Sequence, residues 1–187
     1  IESGLDDVLK FMKKDHDLGQ AYQAIDRLHE AGLIYDAHIM TGVAGKGRGM
    51  ENAEALAQFL NRTNPAHVVN FSMFLHKEVP LYEDIRQGTF VPADELETIR
   101  EEYHLIERIA PEKAGANILY DGFHDFIHVR VRGHLPGDKE KMLAKLSGII
   151  QEYEGKEPVY SFVQGECPDL EYCDDGKAVW DMDRKTS

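Results

Sequence analysis

Residues 35–51 read YDAHIMTGVAGKGRGME, and this stretch decides the architecture. It opens in an extended apolar run, Ile34 to Met40, and breaks into glycines at 42, 45, 47 and 49. A helical pattern starts at about Glu51. Strand, glycine-rich turn and helix in that order let backbone N–H groups approach a ligand at a helix N-terminus. In α/β proteins such turns lie at the carboxyl ends of strands, where sites are built. The glycine intervals are three, two and two, which excludes GxGxxG, and Lys46 has no Ser or Thr after it, which excludes a P-loop. Taken alone, the turn is a flexible strand-to-helix connection.

Working outward, the helix from Glu51 to Arg62 carries Ala53, Leu56, Ala57, Phe59 and Leu60 on one side and stops at Asn64-Pro65. His67 to Leu75, HVVNFSMFL, is rich in β-branched and aromatic residues and reads as a buried strand. Upstream, Val8, Leu9 and Met12 predict a short helix and Lys13 to Asp17 a polar break. Leu18, Ala21, Tyr22, Ile25 and Leu28 predict a longer helix that Gly32 ends. Downstream, a loop leads into a helix from Pro92 or Asp94 to Ile109, with Leu96, Ile99, Tyr103, Ile106 and Ile109 as its apolar stripe. The pattern of Asn117 to Arg132 leaves its local structure open. Leu135 to Asp138 reads as a turn, and Lys139 to Tyr153 as a further helix. Helices alternating with strands over short links imply parallel strands and an α/β architecture, barrel or open sheet.

Composition narrows the function classes. The chain has 187 residues, 42% of them hydrophobic, which suits a globular domain with a real core. Thirty-four acidic residues against twenty-one basic ones give a formal charge of −13, which argues against a nucleic-acid or acidic-membrane surface. No run of eighteen apolar residues is present and the N-terminus has no signal-peptide core, so no membrane partner is expected. Two cysteines, Cys167 and Cys173, fit a reducing cytoplasm better than a disulfide scaffold.

Several segments taken together carry a resemblance. IESGLDDVLKFMKKDH, LHEAGLIY, HIMTGVAGKGRGMENA, FLNRTNPAHVVNFSMFL, PLYEDIRQGTF and RGHLPGDKEKML, in this order and spacing, resemble the radical SAM superfamily over about Ile1 to Gln151. The likeness is to the second half of the barrel, with a C-terminal extension found in Fe–S oxidoreductase-type members. It implies a half-barrel of parallel strands with outer helices, a partial (β/α) barrel, over 1–110. A helical extension over 111–154 and an irregular acidic tail over 155–187 would follow. It implies S-adenosylmethionine and a [4Fe–4S] cluster in the intact protein, acting on a small-molecule or unknown substrate through a 5′-deoxyadenosyl radical. By the same resemblance, Glu2 and Ser3 match the segment facing the cofactor's ribose or methionyl part. Ile39, Thr41 and Gly42 match the strand end near the adenine, and Leu75 the last barrel strand. The family's CxxxCxxC cluster motif and its glycine-glycine-glutamate turn are not in this sequence, and Cys167 and Cys173 lie six apart in the tail. The expectation is therefore a C-terminal fragment with no cofactor bound, inactive alone. A bare half-barrel face should drive self-association. The alternative is a non-catalytic α/β module that binds a ligand or partner.

His124 and His128 stand at i, i+4 near Asp121 and Asp125, a spacing that on a helix could hold a metal. Without HEXXH the plainer reading is a pair of structural histidines; the resemblance, which places this segment near the barrel mouth of the intact enzyme, implies substrate contact as the other reading. Cys167 and Cys173 read as free thiols.

Overall fold

The strand that opened the sequence reading forms β1 (Asp36–Thr41) and runs through the glycine turn into α3 (Gly49–Thr63). The computed structural model describes residues 1–163, together with the backbone of β5 (Glu171–Tyr172) and β6 (Ala178–Val179), which pair with each other. Ahead of β1 lie α1 (Asp6–Phe11) and α2 (Leu18–Glu30), separated by the predicted polar break. Asp17 caps α2 through a capping box with Gln20, which satisfies two donors that a helix start would otherwise leave open. After α2, Gly32 takes φ +71°, and after α3, Asn64 takes φ 44°, both left-handed stops of the kind that end helices.

The chain continues through β2 (His67–Ser72), α4 (Leu81–Arg86), α5 (Glu95–Arg108), β3 (Ile118–His124), β4 (Val129–Leu135) and α6 (Lys139–Tyr153). The sheet order is β1-β2-β3-β4, with β1–β2 and β2–β3 parallel and β3–β4 antiparallel. Two expectations are corrected here. Residues 111–154 are not a purely helical extension: 118–135 fold as a hairpin whose first strand continues the parallel sheet beside β2. The strands are also not all parallel, because β4 turns back on β3. The structure is a mixed α/β fold with an open four-stranded sheet.

The helices cover one face of that sheet. Ala37, Ile39, Val68, Ile118, Tyr120, Val131 and Leu135 point into a core shared with Ile25 of α2, with Leu56, Phe59 and Leu60 of α3, with Ile99, Leu105 and Ile106 of α5, and with Leu146 of α6. Leu56, Phe59 and Leu60 have no exposed surface, and each such side chain contributes about 1.5–3 kcal/mol by leaving water. Alternate strand residues face the other way; Met40 at the end of β1 packs against the cluster of Val8 of α1, Val43 and Ala44, while Asp36, His38, Phe71, Arg130 and Arg132 stand exposed on this largely helix-free face. Among the described residues, no helix is long and apolar enough to cross a membrane.

Candidate functional site

The carboxyl ends of β1, β2 and β3 converge on α5, and the contact is made by charge. Three glutamates of α5, Glu95, Glu101 and Glu102, are buried on its sheet-facing side, the first and second 1% exposed and the third 0%. Buried carboxylates persist only where they are paired or hydrogen-bonded. Each of these is.

Glu102 accepts from His124 Nε2 at 3.0 Å, from the Tyr120 hydroxyl at 2.9 Å and from Asn70 Nδ2 at 3.1 Å. The other ring nitrogen of His124, Nδ1, lies 2.9 Å from Glu95, which also accepts from Ser72 Oγ at 3.1 Å and from the Ser161 hydroxyl. Burial alone would lower the pKa of His124, but the hydrogen bonds to Glu102 and Glu95 outweigh it and push it up to about 10. The ring is therefore an imidazolium at neutral pH and donates on both sides. Burial pushes Glu95 upward too, yet His124 and the two serines hold it below the usual carboxylate range. The phenol of Tyr120 is raised well above its ordinary value, first by burial and then by the neighbouring Glu102.

Glu101 heads a second branch. Its Oε2 accepts the Gly42 N–H at 2.8 Å and its Oε1 accepts Asn52 Nδ2 at 2.7 Å. The Asn52 carbonyl in turn receives the Ser3 hydroxyl at 2.6 Å and the Gly4 N–H at 3.1 Å. No cation faces Glu101 at hydrogen-bond range, so burial pushes its carboxyl up to about 7 despite those donors. Asn70 links the branches to β1 by accepting the Thr41 N–H at 3.2 Å. The network has no solvent-exposed proton path through His124, which is 0% exposed. It holds the strand ends in place.

The residues singled out by sequence are drawn together at this rim, in framing roles. Glu2 pairs with Lys14 at 2.7 Å, and its carbonyl accepts the Met40 N–H, so Ile1–Ser3 runs along the outer edge of β1. The Ser3 hydroxyl and the Thr41 and Gly42 amides are engaged as above. Ile39 lies in the helix-side core at 1% exposure. Leu75 donates to the Ser161 carbonyl and accepts the Val163 N–H, which returns the chain from α6 to the end of β2. Gly42 adopts φ +84°, and a Cβ there would sit 2.9 Å from Thr98 Cγ2, so no other residue fits that turn without strain. His124 and His128 do not converge: the first is in the core, while the second is exposed at φ 54° after the 3-10 turn Asp125–Ile127. Among the described residues no group of three or more His, Cys, Asp or Glu could hold a metal. Cys167 and Cys173 lie outside the described residues.

A cleft of about 360 Å³ opens beside the glycine turn. Val43, Ala44 and Gly45 form its floor, Val8 and Phe11 of α1 one wall, and Phe90 and Val91 the other. The rings of Phe11 and Phe90 stack at 5.8 Å across it, and Lys46 stands at its mouth. The three buried glutamates were missed by sequence reasoning. The signal was there: Glu95, Thr98, Glu102, Leu105 and Ile109 recur at helical spacing on the stripe that carries Ile99 and Ile106.

No protein-family profile matches the chain, and no curated protein sequence matches it. Among solved structures, it is similar to Elp3 from the archaeon Methanocaldococcus infernus, determined with N-terminal residues 1–46 deleted. The TM-score is 0.57 at 19% identity, over 81% of this chain and 34% of Elp3. The chain thus spans about a third of the length of that relative. At this identity the likeness is one of fold.

Proposed function

We propose that this chain forms the C-terminal strands of the barrel of a radical SAM iron–sulfur oxidoreductase. The observation that carries the reading is the arrangement β1-β2-β3, parallel, with α2, α3, α5 and α6 packed on one face, in a fold similar to that of Elp3. In that reading the helix-free face is the inner wall of a barrel, and the α5 network fixes the strand ends on which a cofactor would rest. S-adenosylmethionine, when cleaved by a reduced cluster, supplies a radical that removes hydrogen from a substrate.

The residues present do not complete either cofactor site. A cluster held by three cysteines cannot be built from a chain with two. Glu2, Ser3, Thr41, Gly42 and Leu75 have the polar groups described above committed to internal bonds, so they offer a cofactor a shaped wall and few donors. No step is routed through either group. The chain alone is expected to be inactive and to bind S-adenosylmethionine only weakly.

The test is the reading frame upstream of Ile1, expected to encode CxxxCxxC. Its product, reconstituted anaerobically with iron and sulfide, is expected to yield 5′-deoxyadenosine on reduction. A frame without that motif, or a reconstituted protein that leaves the cofactor intact, overturns the reading. One observation favours a second reading, a non-catalytic binding module: the buried carboxylates are satisfied by hydrogen bonds within the chain. In that case the cofactor survives and a ligand still binds.

A further inference from the structure

We propose that Glu101 is a proton-operated latch on the glycine turn, tying the turn down when its carboxylate is charged and loosening it when a proton is taken up. The carboxylate sits between the two ends of that turn. Its Oε2 accepts the Gly42 N–H at 2.8 Å, and a Cβ on Gly49, the first residue of α3, would stand 3.0 Å from the same oxygen. One turn earlier on α5, Glu97 accepts the Gly47 N–H, so the helix holds the turn at its start and again near its end. Between these two points lie Val43, Ala44 and Gly45, the floor of the cleft of about 360 Å³. A change at Glu101 is therefore passed to that floor.

Both groups bonded to Glu101 are donors, and neither can exchange that role. Gly42 offers a backbone N–H. Asn52 must aim Nδ2 at Glu101 Oε1, because its Oδ1 receives the Ser3 hydroxyl and the Gly4 N–H. Ser3 Oγ in turn accepts the Leu5 N–H at 3.1 Å, which leaves its own proton for Asn52. A carboxylate satisfies both donors, whereas a carboxylic acid brings a further proton and finds no acceptor between them. That O–H has a cavity of about 320 Å³ to turn to, lined by Glu101 with Gly47, Gly49, Asp94, Glu97 and Arg100. Hydrogen bonds to a charged group are about twice as strong as neutral ones, so protonation weakens what remains. Asn52 is braced by Ser3 and Gly4, and the loss falls on the Gly42 N–H.

The surroundings set where the latch works. Burial is the largest influence on Glu101 and raises its hold on the proton; Glu97 adds to this and the imidazolium of His124, itself held by Glu95 and Glu102, opposes it, which leaves the carboxyl at about 7. Around the cavity, Arg100 is held by Glu154, and Asp94 caps α5 at the Glu97 N–H. At the head of α3, Arg48 is taken by Asp7 and Glu51, and beside Ser3, Glu2 is taken by Lys14. Lys46 of the turn is exposed. His104, one turn further along α5, stands 3.4 Å from Glu54 of α3 and belongs to the residue type that changes charge near neutrality.

The latch needs no cofactor and does not rest on the proposed function. Nitrogen-15-labelled chain is titrated across neutral pH, and the Gly42 amide is followed by its NMR chemical shift and by hydrogen exchange, expressed as protection relative to the unfolded chain. The expected result is a Gly42 resonance that titrates with a midpoint at about 7, and a protection that drops about fivefold on the acid side. Burial of the charged carboxylate makes global stability move the opposite way, so an amide that merely followed global unfolding would gain protection at low pH. In Glu101→Gln the Gly42 resonance is expected to stay near its acid-limit position throughout. Glu97→Gln removes a neighbouring negative charge and is expected to move the midpoint to lower pH, which keeps the latch testable should Glu101→Gln fail to fold. His104→Gln is expected to leave the midpoint in place. A Gly42 resonance that does not titrate, one that titrates unchanged in Glu101→Gln, a midpoint that follows His104→Gln in place of Glu97→Gln, or protection that rises toward acid overturns the latch. A reading frame that makes no 5′-deoxyadenosine would sink the proposed function and leave the latch standing, and an inert Gly42 would do the reverse.

Discussion

Glu102 and His124 meet at 3.0 Å with both side chains wholly out of water, and the imidazolium is held from its other side by Glu95. Removing that cation would leave two buried carboxylates with neutral donors only and no counter-charge. His124→Leu is therefore expected to cost about 3–5 kcal/mol, the range for breaking a buried ion pair from one side. His128→Asn, at an exposed left-handed position that asparagine tolerates, should stay within about 0.5 kcal/mol. Urea unfolding of the two variants gives the comparison. A loss below about 1 kcal/mol at His124 would contradict the role assigned to it.

The same network sets a pH dependence. Glu101 titrates at about 7 in the folded chain against an ordinary 4.5, so the folded state holds its proton more tightly than the unfolded one. Its contribution is fully present below about 4.5 and is lost as pH rises through about 7. At about 1.36 kcal/mol per unit, the loss is on the order of 3 kcal/mol. His124 is raised as well, so its contribution is present below about 6.5 and lost as pH climbs through about 10. Stability should fall on the alkaline side, and Glu101→Gln should flatten the slope between pH 4.5 and 7. A variant with the parent's slope in that window would remove Glu101 as its source.

Gly122 lies where β3 passes the Glu102 carboxylate. A Cβ there would come within 1.8 Å of Glu102 Oε1, whereas one at Gly148 on α6 meets nothing within 4 Å. Gly122→Ala should displace the carboxylate from Tyr120 and Asn70 and cost about 1–3 kcal/mol. Gly148→Ala should gain up to about 1 kcal/mol, since glycine is a poor helix former. Thermal unfolding of the pair tests the close approach, and equal effects would refute it.

We propose that the isolated chain also self-associates through its helix-free face, where Phe71 and the partly exposed Phe123 stand uncovered. Sedimentation velocity at tens of micromolar is expected to show dimers that Phe71→Asp returns to monomers. A monomer at that concentration in the parent chain would end the idea.

Much of the fold is legible in the residues, for identifiable reasons. Helix α6 runs over the predicted Lys139–Tyr153, and the break between α1 and α2 falls where charged residues interrupt the apolar spacing. The β3–β4 hairpin is obscured because β3 has polar groups toward both sides: Asp121 meets Arg130 on one, His124 meets Glu95 and Glu102 on the other. Alternation of apolar and polar residues, the usual mark of a half-buried strand, is absent there. The buried glutamates are hidden for a related reason. A helix rich in glutamate reads as solvated, and partners distant in sequence, on β2, on β3 and at Ser161, make burial of Glu95 and Glu102 tolerable. The positions of Ser3, Thr41 and Gly42 at one rim follow from the strand–turn–helix order; their engagement by Asn52, Asn70 and Glu101 does not.

The separation in sequence between the α5 carboxylates and their partners has a kinetic consequence. Glu95 waits for His124 and for Ser161, and Glu102 for Tyr120 and His124. As the chain leaves the ribosome, β1, α3 and β2 are complete before any of those later partners exist. The α5 helix must then be held near the surface, because desolvating its glutamates early would be uphill. Closure of the sheet against α5 is thus a late, long-range event, the kind that slows folding through the entropy of bringing distant segments together. Emergence of His124, completed by that of Ser161, is what lets the helix go in.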